Sequence, residues 1–313
     1  MTKIRSSDDS MIDDRRGQGG GRSSGGGFPF PMGQGGGSGG GLPGGLPGGL
    51  GGLLKGGGSM MAIVMVLAAV FLPKLLGGMQ PAAAVPSQVD TAQVNDGTCS
   101  SDLEQILCGA TVDVQTYWQD ALPKYFGVDY KVTQTVFFSG STSTGCGNAS
   151  AETGPFYCPP DQLVYLDLDF LQQLENQLIG KTSDLAEQYI VAHEYGHHIQ
   201  NLLGTNEQMR QAQQNDPQRA NQYSVALELQ ADCYAGAWAG DANAAGQLDS
   251  STEVNEALDA AAGVGDDRIQ QQTQGRVDPE SWTHGSAEQR QTWFMRGYNT
   301  RDPRQCNTFN EIL

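Results

Sequence analysis

Positive charge is scarce in this chain, histidine is scarcer, and the C-x-x-C spacing is absent. There are 18 Lys and Arg against 35 Asp and Glu, and four His in 313 residues. The deficit is uneven. Residues 1–58 carry six basic and four acidic side chains, a net +2, which leaves −19 of the total −17 for the remainder. An acidic domain lacks the basic face that a phosphate backbone demands, which argues against nucleic acid as a partner. Without a C-x-x-C pair, a cysteine-based zinc site is disfavoured too. No cysteine precedes residue 99, and an even number (Cys99, Cys108, Cys146, Cys158, Cys233 and Cys306) follows it. That distribution suits disulfides in an oxidising compartment, with six reduced thiols as the alternative. Sequence order suggests Cys99–Cys108, Cys146–Cys158 and Cys233–Cys306, with other pairings left open.

Acidic residues are missing altogether from residues 17–58, which hold 23 of the 43 glycines. Such a stretch buries too little apolar surface to fold, so residues 1–58 read as a disordered Gly-rich tail. Met60–Leu72 is uninterrupted and apolar. Counted through Lys74 to Leu76, it reaches the lower limit for a membrane span. With coil on both sides it has nothing to pack against, so residues 59–76 are expected to form one transmembrane anchor in the lipid bilayer. A cleaved signal peptide ending near Ala82-Ala83-Ala84 is the rival. The basic residues ahead of the run favour a cytoplasmic N-terminus, with the rest extracytoplasmic, periplasmic or extracellular. Residues 77–97 read as linker. Residues 98–313 are enough for one sizeable domain.

What is present is Val191-Ala-His-Glu-Tyr-Gly-His-His198, which contains H-E-x-x-H. On a helix, His193 and His197 lie one turn apart and point two imidazoles at one spot. Glu194 flanks that face. Two neutral nitrogens and a nearby carboxylate are what a catalytic zinc needs. Ser183 or Asp184 caps this helix and Gly204 ends it. Gly at 200 and His at 203 would make a metzincin; Gln200 and Leu203 stand there instead. The third protein ligand is then expected from a later helix, opened by Asp216-Pro217 and running to about residue 239. In it Glu228 and Asp232 share a face. Glu228 would complete the ligand set. Asp232 would accept the second ring N–H of a ligand histidine.

Around this centre, residues 101–122, 170–178, 250–262 and 286–298 read as helices, with Gly265-Asp-Asp-Arg268 opening another short one. Residues 130–138 and 163–169 read as strands, and residues 139–154 as a loop. Residues 163–167 are either a structural strand or the edge on which an extended substrate pairs. His284 precedes the capping box of Ser286 and Gln289 and is a candidate to steady an oxyanion. The expected class is α+β, mostly α, with a small sheet.

Taken together, H-E-Y-G-H-H-I-Q, E-L-Q-A-D-C-x-A-G and H-G-S-A-E-Q-R resemble the bacterial putative neutral zinc metallopeptidase family. So do Ile12-Asp-Asp-Arg-Arg-Gly17, Gly154-Pro-Phe-Tyr-Cys158 and Gly265-Asp-Asp-Arg268. The resemblance spans nearly the whole chain. It implies a gluzincin-like, membrane-anchored peptidase holding one Zn2+ on His193, His197 and Glu228, with Glu194 as the catalytic carboxylate and a peptide or protein as substrate. The order E-x-x-A-D, then H-x5-R, is also similar to the membrane-embedded CAAX-processing gluzincins. That similarity implies that His284 and Arg290 assist near the transition state. The alternative is a zinc-stabilised binding module that cuts nothing.

Overall fold

The computed structural model describes residues 3–17, 97–150, 153–174, 184–248 and 251–312. Helix α1 (Asp102–Phe126) starts at a full capping box, in which Ser101 accepts from the Glu104 amide and Glu104 returns to the Ser101 amide. It outruns its expected end because Pro123 falls in the last turn, and Gly127 closes it in the left-handed region. Leu107, Val114, Trp118 and Leu122 form its fully buried stripe.

Two strands precede and follow this helix in space. β1 (Ile12–Asp14) lies parallel to β2 (Thr135–Phe138), with Ile12 opposite Thr135. After β2 come β3 (Ser141–Thr144) and β4 (Gly147–Ser150), a separate antiparallel pair. β5 (Phe156–Cys158) and β6 (Leu163–Asp167) then complete a four-stranded sheet of order β1-β2-β6-β5, in which only β5 runs antiparallel to its neighbour. Three expectations are corrected here. Residues 141–150 are a hairpin rather than a loop, because Thr144, Cys146 and Gly147 close a tight turn with Gly147 at positive φ. β6 is internal and paired on both sides, so it has no free edge for a substrate. Finally, residues 3–17 are not a disordered tail: they dock on the domain and supply β1, with Ile4 buried. The expected spans 59–76 and 77–96 lie outside the described residues. No helix among the described residues is long and apolar enough to cross a membrane.

The remaining chain is helical: α2 (Leu168–Leu174), α3 (Asp184–Leu202), α4 (Thr205–Asn215), α5 (Ala220–Ala244), α6 (Ser251–Gly263), α7 (Asp266–Gln274), α8 (Ala287–Thr300) and α9 (Thr308–Ile312). The sequence reading passed over α4, whose side chains are nearly all polar. Helix α5 is central. Its Gly236 lies so close to α8 that an added Cβ would sit 2.0 Å from the Phe294 carbonyl, and Gly297 of α8 so close to α5 that its Cβ would sit 1.9 Å from the Cys233 carbonyl. Small residues let the two backbones touch. Gly196 does the same for α3, where a Cβ would meet Ala231 at 3.0 Å.

Disulfides bond Cys99–Cys108, Cys146–Cys158 and Cys233–Cys306, with Cα separations of 6.1, 5.9 and 5.5 Å. The first ties the entry of α1 to its second turn, the second ties the hairpin to β5, and the third latches the C-terminal segment to α5. The loops they close differ in length, at 9 residues for Cys99–Cys108 and 73 for Cys233–Cys306. Paired Cys→Ser replacement should cost about 4 kcal/mol at Cys233–Cys306 and about 2.5 kcal/mol at Cys99–Cys108, from the loop-closure entropy of the unfolded chain. Urea unfolding of the two double variants checks that ranking.

Candidate metal centre

Helix α3 presents His193 and His197 one turn apart, their rings 4.8 Å between centroids and nearly perpendicular. Helix α5 crosses it at Gly196 and brings up Glu228. His193 Nε2 is 3.2 Å from Glu228 Oε2, and His197 Nε2 is 3.6 Å from Glu228 Oε1. Adjacent ligands around a tetrahedral zinc are about 3.3 Å apart, given bonds of about 2.05 Å. Among the described residues, this His-His-Glu trio is the group of metal-ligating side chains that converges, with ligand atoms within 4.8 Å of one another.

The backs of both rings are held. His193 Nδ1 lies 2.8 Å from Asp232 Oδ1, and His197 Nδ1 lies 2.8 Å from Gln200 Oε1. Both acceptors demand N–H on Nδ1, which leaves each Nε2 lone pair facing Glu228. Gln200 was missed as a partner, although it lies three residues past His197 on the same helix. Its amide is itself anchored on Leu227 O and Gln230 Oε1.

Asp232 is fully buried and must be neutralised. Arg290 from α8 supplies two bonds, Nε at 2.7 Å and Nη2 at 2.9 Å, and Tyr189 donates its hydroxyl at 2.5 Å. Burial pushes the Asp232 carboxyl up, but Arg290 and His193 outweigh it and hold the group well below the usual range. Arg290 reaches this network on the Nδ1 side of His193, at 3.5 Å, and its Nη1 goes to Val264 O. Its nitrogens are therefore turned toward Asp232 and away from the Nε2 face. The structure places it behind the ligand, as a support for Asp232.

Without metal, burial opposes protonation of His193, yet the Asp232 carboxylate lifts it to about 10. The same balance acts on Glu228. Burial raises it, while His197 and His193 carry it well below its ordinary value. The three side chains thus face one another in a dry place. Glu194 is buried beside them. Burial pushes its carboxyl up; the two histidines and a hydrogen bond from the Tyr157 backbone pull it back part of the way.

His198 is not a ligand. Its Nε2 donates to Lys131 O at 2.7 Å and its Nδ1 accepts from the Tyr157 hydroxyl at 3.0 Å. Burial lowers its pKa, in keeping with a neutral ring. It fixes β5, and through β5 the backbone that touches Glu194.

His284 sits in a loop built around one carboxylate. Asp266 Oδ2 accepts the amides of Thr283, His284 and Gly285 at 2.8, 2.6 and 3.0 Å, and its Oδ1 lies 3.2 Å from His284 Nδ1. Gly285 can follow because it adopts φ of 90°. Asp267 caps α8 by accepting the Ala287 amide at 2.7 Å. Besides opening a short helix, Gly265-Asp-Asp-Arg268 holds this loop. Its adjacent carboxylates were the signal for a loop held from below.

Two helices crossing at a glycine, with two imidazoles, a carboxylate and a buried acid between them, make a cluster that could hold a metal ion. Residues 1–309 match the family described as "Putative neutral zinc metallopeptidase", and the chain belongs to that family. It is 38% identical over 305 residues to the uncharacterized protein YpfJ of Escherichia coli K12, covering 96% of each chain. It is 47% identical over 231 residues to the uncharacterized protein Rv2575 of Mycobacterium tuberculosis H37Rv, covering 71% of this chain and 76% of the relative. No solved structure matches it.

Loss of a hydrogen bond behind a ligand costs about 10–100-fold in metal affinity. Gln200→Leu should therefore bind zinc that much more weakly than wild type, and Glu228→Ala should lose it. Competition with a chromogenic chelator measures both.

Proposed function

We propose that this chain is a zinc-dependent endopeptidase. The observation that carries the reading is the convergence of His193, His197 and Glu228 with Glu194 buried alongside them. The donor set suits zinc in charge and spacing, and its second ring nitrogens are already committed. When bound there, zinc supplies a Lewis acid for the scissile carbonyl and an acidified water.

The chain's own groups do the rest. Glu194, with its carboxyl pushed up by burial, is suited to take the proton of the attacking water and deliver it to the leaving amine. Asp266 accepts from His284 Nδ1, and in its imidazolium form the ring also carries an Nε2–H that can donate to the developing oxyanion. β5 is the terminal strand of the sheet and contributes the Tyr157 backbone to Glu194. An extended peptide pairing with that edge would lay its scissile bond beside the acid. The substrate is accordingly an unstructured peptide or protein segment.

The test uses the full chain, zinc-loaded, against a mixed peptide library. Wild type should cleave. Glu194→Gln should keep one zinc per chain and lose turnover by about 10²–10⁴-fold, the usual worth of a positioned proton-transfer group. Equal cleavage by both would remove Glu194 from the reaction. No cleavage by either, with zinc bound, would favour a binding module stabilised by metal. His284→Ala should lower kcat by about 10²-fold with KM little changed, as loss of an oxyanion donor does. Asp266→Asn should follow it in direction, read out in the same kinetics.

A further inference from the structure

The N-terminal segment is built into the domain at many points. Lys3 N bonds to Gln247 O at 2.9 Å, and Ser6 N to Gln105 O at 3.0 Å. Arg5 grips Asp184, the first residue of the metal helix α3, with contacts of 2.9 and 3.1 Å. One turn further along α3, Gln188 donates to the Ile4 carbonyl at 2.8 Å. Thr135 N bonds to Met11 O, and Arg15 N to Phe137 O, on either end of the β1–β2 pairing. Arg16 pairs with Asp14 and with Glu104, the buried carboxylate of the α1 capping box. Helix α1 is shaped to admit this segment. At Gly109 an added Cβ would lie 2.7 Å from Arg5 Cα and 2.8 Å from Ile4 O, both backbone atoms.

The two ends of residues 18–96 also leave the domain together. Thr98 Oγ1 donates to Asp14 Oδ2 at 3.2 Å, and the Cys99 sulfur lies 3.7 Å from Asp8 O. The described residues on either side of 18–96 therefore lie on one patch of one face.

We propose that residues 3–17 are a structural strap of the peptidase domain, docked in cis on α1, β2 and the metal helix, and that they share one compartment with residues 97–312. Neighbouring strands are about 4.8 Å apart, whereas the hydrocarbon core of a bilayer is about 30 Å thick. No membrane fits between β1 and β2. A single crossing by the apolar run Met60–Leu72 would put them on opposite sides, so the docked strap excludes it. Two crossings would need about 40 apolar residues, more than double the run. The cytoplasmic N-terminus expected from the basic residues is thereby replaced. With three disulfides in the domain, the strap belongs to the oxidising side as well. The basic residues Arg5 and Arg16 are spent on Asp184 and on Asp14 and Glu104.

Two measurements on the full chain test this. The first places a single added cysteine at exposed Ser7 (Ser7→Cys) or at exposed Gln119 on α1 (Gln119→Cys), made in bacterial cells. A membrane-impermeant maleimide is applied to spheroplasts before and after lysis. Both positions should give the same before-to-after ratio. Labelling of one before lysis and of the other only after it overturns the proposal. The second is Gly109→Ala. In a helix whose Gly109 face is unoccupied this substitution raises stability. Under a docked strap the new methyl strikes backbone, so the melting temperature should fall, and Arg5→Ala should lower it by itself but add little in the Gly109→Ala background. A rise in melting temperature for Gly109→Ala overturns the docking, whatever the labelling shows.

Discussion

A fully buried carboxylate in the middle of a helix governs this structure. Asp232 has no water to solvate it, and an uncompensated charge in such a place costs about 3–5 kcal/mol. Its neutralisers come from elsewhere: Arg290 from α8, Tyr189 and His193 from α3. Each bond does two things. It offsets the burial of the charge, and it fixes one helix against another in register. The metal ligands inherit that register. His193 is aimed because Asp232 holds its Nδ1, and Asp232 is fixed because Arg290 holds it.

That arrangement demands helices closer than ordinary side chains permit. Gly236 and Gly297 let α5 and α8 touch backbone to backbone, and Gly196 brings α3 onto Ala231. With alanine at these places the helices would stand further apart, and the short polar side chain of Asp232 would no longer span the gap. Helix packing of this kind is usually a matter of apolar area. Here its first effect is on the reach of a carboxylate, and through that on the spacing of His193, His197 and Glu228.

How much of this could be read from the sequence depended on whether the partners lay close along the chain. His193, Glu194 and His197 are a local pattern, and Glu228 with Asp232 is another, so these residues were legible as a candidate metal site before any coordinates. The capping boxes at Ser101 and Ser286 belong to the same class: the first was passed over although its residues were in view, the second was read directly. Gln200 was noticed only as the wrong residue for a metzincin, because a glutamine on a helix face carries no sign of which ring it faces. Asp266 supports His284 across 18 residues, and no spacing rule joins a helix start to a loop at that distance. β5 was missed because it is three residues long. The strap was missed for a different reason. Its composition was averaged with the glycine-rich stretch behind it, and the charged run after Ile12 in Ile12-Asp-Asp-Arg-Arg has no apolar face to announce a strand.

The latch of the C-terminal segment on α5 has a consequence for the order in which the protein is made. Gln230 donates to Cys306 O at 2.9 Å, Thr308 donates to Ala226 O at 2.5 Å, and Cys233 is bonded to Cys306 next to Asp232. Arg290, too, follows Glu228 in the chain. A ribosome that has produced both histidines and Glu228 has therefore produced every ligand but neither the cation that balances Asp232 nor the segment that braces α5. The cluster is completed only once the chain has been made past Thr308, and a shorter nascent polypeptide carries His193, His197 and Glu228 without yet having their support.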